Sequence, residues 1–123
     1  MIRDILLVGA GSALGGMARF LVNRGITHFF NYPFPLATFI VNITGSFLIG
    51  YLYSISVKHE WLTTPALLFL VTGICGGYTT FSAFSYENFM LIRNGHVGIT
   101  VIYIMASIFL GIGAALMGFW AGK

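Results

Sequence analysis

The sequence predicts an all-α membrane protein whose chain crosses the bilayer four times. Of its 123 residues, 58% are hydrophobic and 7% are charged, against roughly 25% charged residues in an average soluble domain. The apolar residues form four long runs, which prolines, charges and short polar turns separate. Because one crossing takes about 20 residues, four crossings use nearly the whole chain. We therefore expect a single transmembrane domain over residues 1–123, with no large domain outside the membrane.

The boundaries of the four spans follow from the turn residues between them. The predicted spans are residues 5–22, 36–57, 65–90 and 97–120. Pro33 and Pro35 stop the first helix and start the second, and Pro65 suits the first turn of the third helix, behind a capping threonine. Glycines are frequent in the first and fourth spans, where small residues let membrane helices approach one another closely.

The third span differs from the others because a polar stretch directly follows its apolar first half. Residues 76–88 read Gly-Gly-Tyr-Thr-Thr-Phe-Ser-Ala-Phe-Ser-Tyr-Glu-Asn. Two glycines and two β-branched threonines disfavour a regular helix, and non-helical backbone at membrane depth must be covered by protein or line a cavity. Polar side chains within a membrane mark substrate and ion pathways. We therefore predict a helix break between Gly76 and Thr80 and expect the functional site there.

The side chains of this stretch suit the passage of an ion. Phe81 and Phe84 are three residues apart and share one helical face. The edge of an aromatic ring carries partial positive charge, so it can face an anion without a formal charge. The hydroxyl groups of the stretch and the amide of Asn42 in the second span add hydrogen-bond donors. Such a lining suits a small anion that must lose its water without being held tightly, which conduction requires.

A plainer interpretation of the same residues stays open at this point. Two phenylalanines at helical spacing are also typical of packing against lipid or against a protein core. Serine and threonine hydroxyls in membrane helices often bond back to backbone carbonyls of their own helix. The residue types alone do not decide between packing and an ion pathway.

Three stretches of the chain carry a resemblance to a known family. They are residues 76–85 (Gly-Gly-Tyr-Thr-Thr-Phe-Ser-Ala-Phe-Ser), residues 41–46 (Val-Asn-Ile-Thr-Gly-Ser) and residues 15–20 (Gly-Gly-Met-Ala-Arg-Phe). Together they resemble the Fluc (CrcB) family of microbial fluoride channels, and the resemblance extends over all four spans. It implies an antiparallel, dual-topology homodimer with two fluoride pores in the cytoplasmic (inner) membrane. Such a protein exports fluoride passively and protects the cell against fluoride toxicity.

The resemblance also implies which side chains meet the ion. Phe81 and Phe84 would present their ring edges to it, and Asn42 would supply the pore amide. Further polar positions lie on the broken helix and on the fourth span. The fluoride pathway predicted in this way consists of Asn42, Thr80, Phe81, Ser82, Phe84, Tyr103 and Ser107.

Four further residues receive roles from the resemblance alone. The backbone carbonyls of Gly76 and Thr79 would hold a structural sodium ion at the two-fold axis of the dimer. Arg19 would lie near the aqueous vestibule, and Glu87 would lie beside the mouth of the pore. The expected partners are therefore fluoride, sodium, the lipid bilayer and a second copy of the chain, and we expect no nucleic-acid partner.

The balance of charges agrees with insertion in both orientations. With an even number of spans, the N-terminus, the second loop and the C-terminus share one side of the membrane. The basic residues divide into Arg3, Lys58 and Lys123 on that side and Arg19, Arg24 and Arg93 on the other. An excess of Lys and Arg in cytoplasmic loops normally sets the orientation of a membrane protein, and an even division sets none. An antiparallel homodimer follows as a hypothesis.

Other classes of protein agree less well with the sequence. A small multidrug-resistance-like, proton-coupled exporter has the same size and number of spans and is the alternative. Such antiporters resemble one another in a glutamate within the first helix, whereas the acids here are Asp4, Glu60 and Glu87. An enzyme is disfavoured because all three histidines lie in predicted loops, without a metal-spaced cysteine or carboxylate. A purely structural subunit would leave the polar, broken helix without a cause.

Overall fold

The computed structural model describes residues 1–60 and 62–123, and the regular structure within them is helical. The helices of this part are α1 (Ile2–Phe29), α2 (Leu36–Lys58), α3 (residues 64–78), α4 (Ser82–Arg93) and α5 (Val97–Ala121). Four helical stretches of the described residues are long and apolar enough to cross a membrane, with α3 and α4 together making the third. The chain is therefore a multi-pass, all-helical membrane protein, as the sequence predicts.

The first helix extends past the predicted span. The sequence places its end near Val22, whereas α1 continues to Phe29. The next proline in the sequence is Pro33, so no residue between these points locks the backbone out of a helix. The chain leaves the helix at Phe30, whose backbone is extended (φ −130°, ψ 111°).

The first part of the third crossing contains a segment that the sequence does not predict. Helix α3 begins as expected, because Thr63 Oγ1 accepts a hydrogen bond from Ala66 N (3.4 Å) and Pro65 lies in the first turn. Its middle, Leu68–Cys75, is π-helical. π-helical turns are rare and occur often at functional sites. This segment ends three residues before α3 itself ends at Tyr78.

Glycines hold α1 against α3. An ideal Cβ at Gly73 would lie 2.8 Å from Gly11 Cα, and one at Gly15 would meet the carbonyl oxygen of Ile74. No side chain fits at these positions without moving the backbone of the facing helix. Gly15 of the first span therefore allows the predicted close approach, by leaving room for the backbone of the neighbouring helix, and Gly73 does the same from the third span.

Helices α2 and α5 meet in the same way. An ideal Cβ at Gly50 would meet the carbonyl oxygen of Ala115, and one at Gly118 would meet that of Phe47. The end of α3 reaches α2 at Gly45, where an added side chain would meet that of Thr79. These contacts bring the end of α3 beside the α2–α5 pair.

The break in the third crossing lies at residues 79–81, between α3 and α4. The predicted interval agrees with this position at Thr79 and Thr80 and is wrong at the glycine pair, because Gly76–Tyr78 is α-helical. Gly77 packs against the backbone of α1, so this glycine provides close packing rather than a bend. The helix ends at Thr79, which has an extended backbone (φ −82°, ψ 157°).

Candidate functional site

A cavity of about 520 Å³ opens beside the helix break. Side chains from α2, α4 and α5 and the residues of the break bound it. The predicted pathway residues that line it are Asn42, Thr80, Phe81, Phe84 and Ser107. Gly76 and Thr79, the predicted sodium ligands, line the same cavity. Residues from three predicted spans therefore come together at one place.

Asn42 holds the break through both ends of its side-chain amide. Its Nδ2 donates a hydrogen bond to Thr80 O (3.1 Å), and its Oδ1 accepts one from Thr80 N (2.9 Å). In a continuous α-helix, Thr80 N would donate to Gly76 O instead. Because unpaired backbone groups are costly inside a bilayer, Asn42 stabilises the non-helical backbone of the break.

Thr80 also starts the second half of the crossing. Its Oγ1 accepts a hydrogen bond from Ala83 N (3.1 Å), as the side chain of an N-cap residue does. The hydroxyl oxygens of Thr80 and Ser82 lie 3.3 Å apart, so Ser82 joins the site through Thr80. Thr79 Oγ1 donates back to Cys75 O (2.9 Å), which is the plainer behaviour expected of a helical hydroxyl.

The rings of Phe81, Phe84 and Tyr103, which together are the aromatic line, pack one against the next from the cavity into the bundle. Their centroids are separated by 5.9 Å between Phe81 and Phe84 and by 4.9 Å between Phe84 and Tyr103. Phe81 is 79% exposed in the single chain, whereas Tyr103 is fully buried. The aromatic line therefore runs from an open side of the chain to its interior.

Glu87 lies near the inner end of this line. Its Oε2 accepts a hydrogen bond from Thr38 Oγ1 (2.9 Å), and its Oε1 accepts a longer one from the Tyr103 hydroxyl (3.4 Å). The predicted pathway leaves out Thr38 and Ser46, although Ser46 lines the main cavity. Both are four residues from Asn42, so the sequence already indicates that they share its helical face.

Arg19 and Glu87 line two other cavities. Arg19 borders a cavity of about 340 Å³ that shares Thr80 with the main one. The Nε atom of Arg19 is buried and has no hydrogen-bond partner among the described residues. Glu87 borders a cavity of about 360 Å³ beside the loop that follows α1. The structure therefore places these two residues around the break and not in the main cavity.

Tyr78, for which the sequence indicates no role, joins the end of α3 to α2. Its hydroxyl lies 3.0 Å from Thr44 Oγ1, and Thr44 Oγ1 also donates to Ile40 O (2.8 Å). This contact adds a side-chain hydrogen bond to the helix pair just before the break.

The fold and the site define a small multi-pass membrane protein with a polar and aromatic cavity at a break in one crossing. Irregular backbone at membrane depth is typical of proteins that move ions or small solutes. The chain belongs to the CrcB family, because the family described as "CrcB-like protein, Camphor Resistance (CrcB)" matches residues 6–119. The resemblance seen in the sequence is thereby confirmed.

Curated relatives match nearly the whole chain. One from Azobacteroides pseudotrichonymphae is 43% identical over 119 residues, which cover 97% of this chain and 95% of the relative. One from Chlorobium luteolum is 45% identical over 120 residues (98% and 92%). One from Nitrobacter winogradskyi is 44% identical over 114 residues (93% and 90%). All three relatives are named "Fluoride-specific ion channel FluC".

Proposed function

We propose that this protein is a fluoride-selective channel through which fluoride leaves the cytoplasm down its own gradient. One observation carries the proposal. The cavity at the break combines an amide, hydroxyls and phenylalanine rings, and none of the described residues that line it is acidic or basic. Such a lining can replace the water around a small anion without trapping it. The name shared by relatives of 43–45% identity supports the same function for this chain.

A proton-coupled exporter of the small multidrug-resistance type is not favoured. Proton coupling needs a titratable group on the transport path. Asp4 lies at the start of α1 and Glu60 in the loop after α2. Glu87 reaches Tyr103 at the inner end of the aromatic line, but it borders a separate cavity and not the main one. The relatives are named as channels, so the protein is assigned to channels and not to exporters or enzymes.

The channel works as a homodimer in this proposal, because the single chain leaves its site open. Phe81 at the edge of the main cavity is 79% exposed, and the residues of the break also line this open cavity. Lipid tails cannot satisfy exposed peptide groups or hydroxyls. A second copy packed over the break covers both the ring and the polar lining.

The two copies are antiparallel in this proposal. The six basic residues divide evenly between the two sides of the predicted topology, so single chains insert both ways up. Both members of an antiparallel pair are then available from one gene product. The cytoplasmic (inner) membrane is the proposed location, because a channel that exports fluoride must lie at the boundary of the cytoplasm.

A structural sodium ion held by Gly76 and Thr79 is the next part of the proposal, and the backbone at the break fits it. Because Thr80 N donates to Asn42, Gly76 O loses its helical partner, and no hydrogen bond within the described residues ends on Gly76 O or Thr79 O. Carbonyl oxygens of unwound backbone suit a small monovalent cation. The described side chains include no cluster of three or more His, Cys, Asp or Glu, and the proposed ligands are backbone carbonyls.

Sodium binding is tested by the melting temperature of the purified protein. We expect a higher melting temperature in sodium chloride than in N-methyl-D-glucamine chloride at equal ionic strength, since a ligand at 100 times its Kd stabilises the native state by about 2.7 kcal/mol. Thr79→Ser should keep this difference, because the proposed ligand is a carbonyl. Gly76→Pro, which alters the backbone, should abolish it. Identical melting temperatures of the wild type in both salts would exclude the ion.

Fluoride conduction is tested with liposomes that contain only the purified protein. The liposomes are loaded with potassium fluoride, and valinomycin compensates the charge that leaves with the anion. A fluoride electrode should detect fluoride outside the liposomes without any proton gradient. Liposomes loaded with potassium chloride should show no comparable chloride efflux. Equal rates for chloride, or a strict need for proton exchange, would exclude a fluoride-selective channel.

A further inference from the structure

Phe34 lies in the loop between α1 and α2, yet its ring packs into the bundle. The ring centroid lies 5.3 Å from that of Tyr103, with the two planes at 73°. It lies 5.6 Å from the Phe39 ring, also at 73°. Both are edge-to-face arrangements, which aromatic pairs prefer over flat stacking. A loop residue is therefore part of the aromatic packing around the proposed pathway.

The loop around Phe34 is stiff. Pro33 and Pro35 have their φ angles fixed by their rings, and each proline also restricts the residue before it. Leu36 N donates a hydrogen bond to Phe34 O (2.8 Å) across the second proline. Because the backbone on both sides of Phe34 has little freedom, the point from which its side chain projects is well defined.

Tyr103 is held by ring contacts, of which the one with Phe34 comes from outside the helices. It is fully buried and packs against Phe34 as well as against Phe84, whose centroid is 4.9 Å away. Its hydroxyl reaches Glu87 at 3.4 Å, which is long for a hydrogen bond between oxygens and holds the ring weakly. Aromatic packing therefore fixes the Tyr103 ring more firmly than its hydrogen bond does.

We propose that Phe34 is a positioning residue for conduction: it holds Tyr103 in place against Phe84 and so sets the inner end of the aromatic line. Phe34 also borders the 360 Å³ cavity that Glu87 lines, so the same residue contacts Tyr103 and adjoins this open space. Loss of the ring lets Tyr103 shift toward that space and away from Phe84. The inference rests on the proposed fluoride channel.

The experiment measures fluoride efflux from liposomes over a range of fluoride concentrations. Phe34→Leu removes the ring and keeps an apolar side chain in the same place. We expect its maximal rate to fall roughly three- to tenfold, the size of the effect of one aromatic pair. Phe34→Tyr keeps the ring and should restore at least half of the wild-type rate. Phe29→Leu, at an aromatic position that is 87% exposed, is the matched control and should conduct like the wild type.

A coupling measurement separates positioning from general destabilisation. If Phe34 acts through Tyr103, then adding Phe34→Leu to Tyr103→Leu should cause little further loss of rate. Independent, multiplying losses would overturn the inference, as would wild-type rates in Phe34→Leu. If Phe34→Leu does not assemble, Phe34→Met fills the same space without a ring and is judged by the same criteria. Absence of fluoride efflux from the wild type would instead reject the proposed function itself.

Discussion

The Asn42 amide bonds to both the backbone N–H and the backbone C=O of one residue, Thr80, so this side chain supports the backbone of the break. Its partner, Thr80, is 38 positions away in the chain. The sequence identifies Asn42 as a polar residue within a membrane span, and the family resemblance places it in the pore. The sequence cannot predict that the amide pairs with the backbone of Thr80, because the N–H and C=O of Thr80 are free only if the helix breaks at this point.

The phenylalanines of the cavity give the first prediction at the residue scale. Phe81→Ile and Phe84→Ile keep an apolar side chain and remove the ring edge, so stability should fall by only ~1 kcal/mol. If the rings face fluoride, the efflux rate should fall at least about tenfold, or ~1.4 kcal/mol in activation free energy. Phe89→Ile on α4, where the ring is 57% exposed, is the matched control. Normal flux in both cavity variants would mean that these rings only pack.

Substitutions of Asn42 give the second prediction. Asn42→Ala removes the amide that bonds to Thr80 and leaves the desolvated anion short of a hydrogen-bond donor, a deficit of about 1–3 kcal/mol. Fluoride efflux should therefore fall by roughly one to two powers of ten. Asn42→Asp should be worse, because a carboxylate would face Thr80 O and repel the anion. Asn31→Asp, at an exposed position in the loop after α1, tests whether added charge alone is harmful. Efflux in Asn42→Asp equal to that of the wild type would contradict this role.

At the scale of single helices, the sequence predicts most of what the structure shows. Long apolar runs predict the spans well, because a bilayer leaves a chain little choice except helix. The exact position of the break is less accessible to prediction. Gly76 and Gly77 are usual signs of a bend, yet they stay helical, since α1 approaches closely enough to require a glycine at 77. The π-helical segment Leu68–Cys75 leaves no recognisable pattern in the sequence.

The glycines of α1 give a prediction at the scale of helix packing. Gly11→Ala and Gly15→Ala would press a methyl group into backbone carbonyls of α3, so each should cost about 1–3 kcal/mol of stability. Gly9→Ala meets nothing within 4 Å and should leave stability unchanged or slightly higher, because alanine favours helix. Melting temperatures of the purified variants in detergent measure the difference. Equal losses at all three positions would mean that the α1–α3 contact does not depend on these glycines.

At the scale of the whole molecule, a single chain leaves part of its functional site uncovered. The cavity beside the break opens toward one side, and ring packing inside the chain leaves Phe81 mostly exposed. Sequence patterns predict spans and their charges, but they do not tell a surface that faces lipid from one that faces another protein, since both are apolar. The prediction of an antiparallel pair therefore depends on two physical arguments, the even distribution of charge and the polar groups that lipid cannot satisfy.

The topology of the pair gives the last prediction. Reporter proteins fused to the C-terminus should reveal both orientations of the wild-type chain in the same membrane. Asn31→Lys together with Asn94→Lys adds two charges to the loops on one side, so these loops should stay in the cytoplasm. Two lysines appended after Lys123 should bias the chain the other way. Each biased variant, expressed alone, lacks antiparallel partners and should lose most of its fluoride efflux activity from cells.

Co-expression separates an effect on topology from damage to the channel. If the lysines act only through orientation, the two oppositely biased variants expressed together should restore efflux, because each supplies the partner that the other lacks. The same pair of substitutions made with glutamine is the control, since glutamine changes the side chains without adding a positive charge and should leave both orientations populated. One fixed orientation of the wild-type chain, or full activity of each biased variant alone, would show that a parallel pair or a single chain conducts. The polar cavity would then need a different cover, because its amide and hydroxyl groups cannot face hydrocarbon in either arrangement.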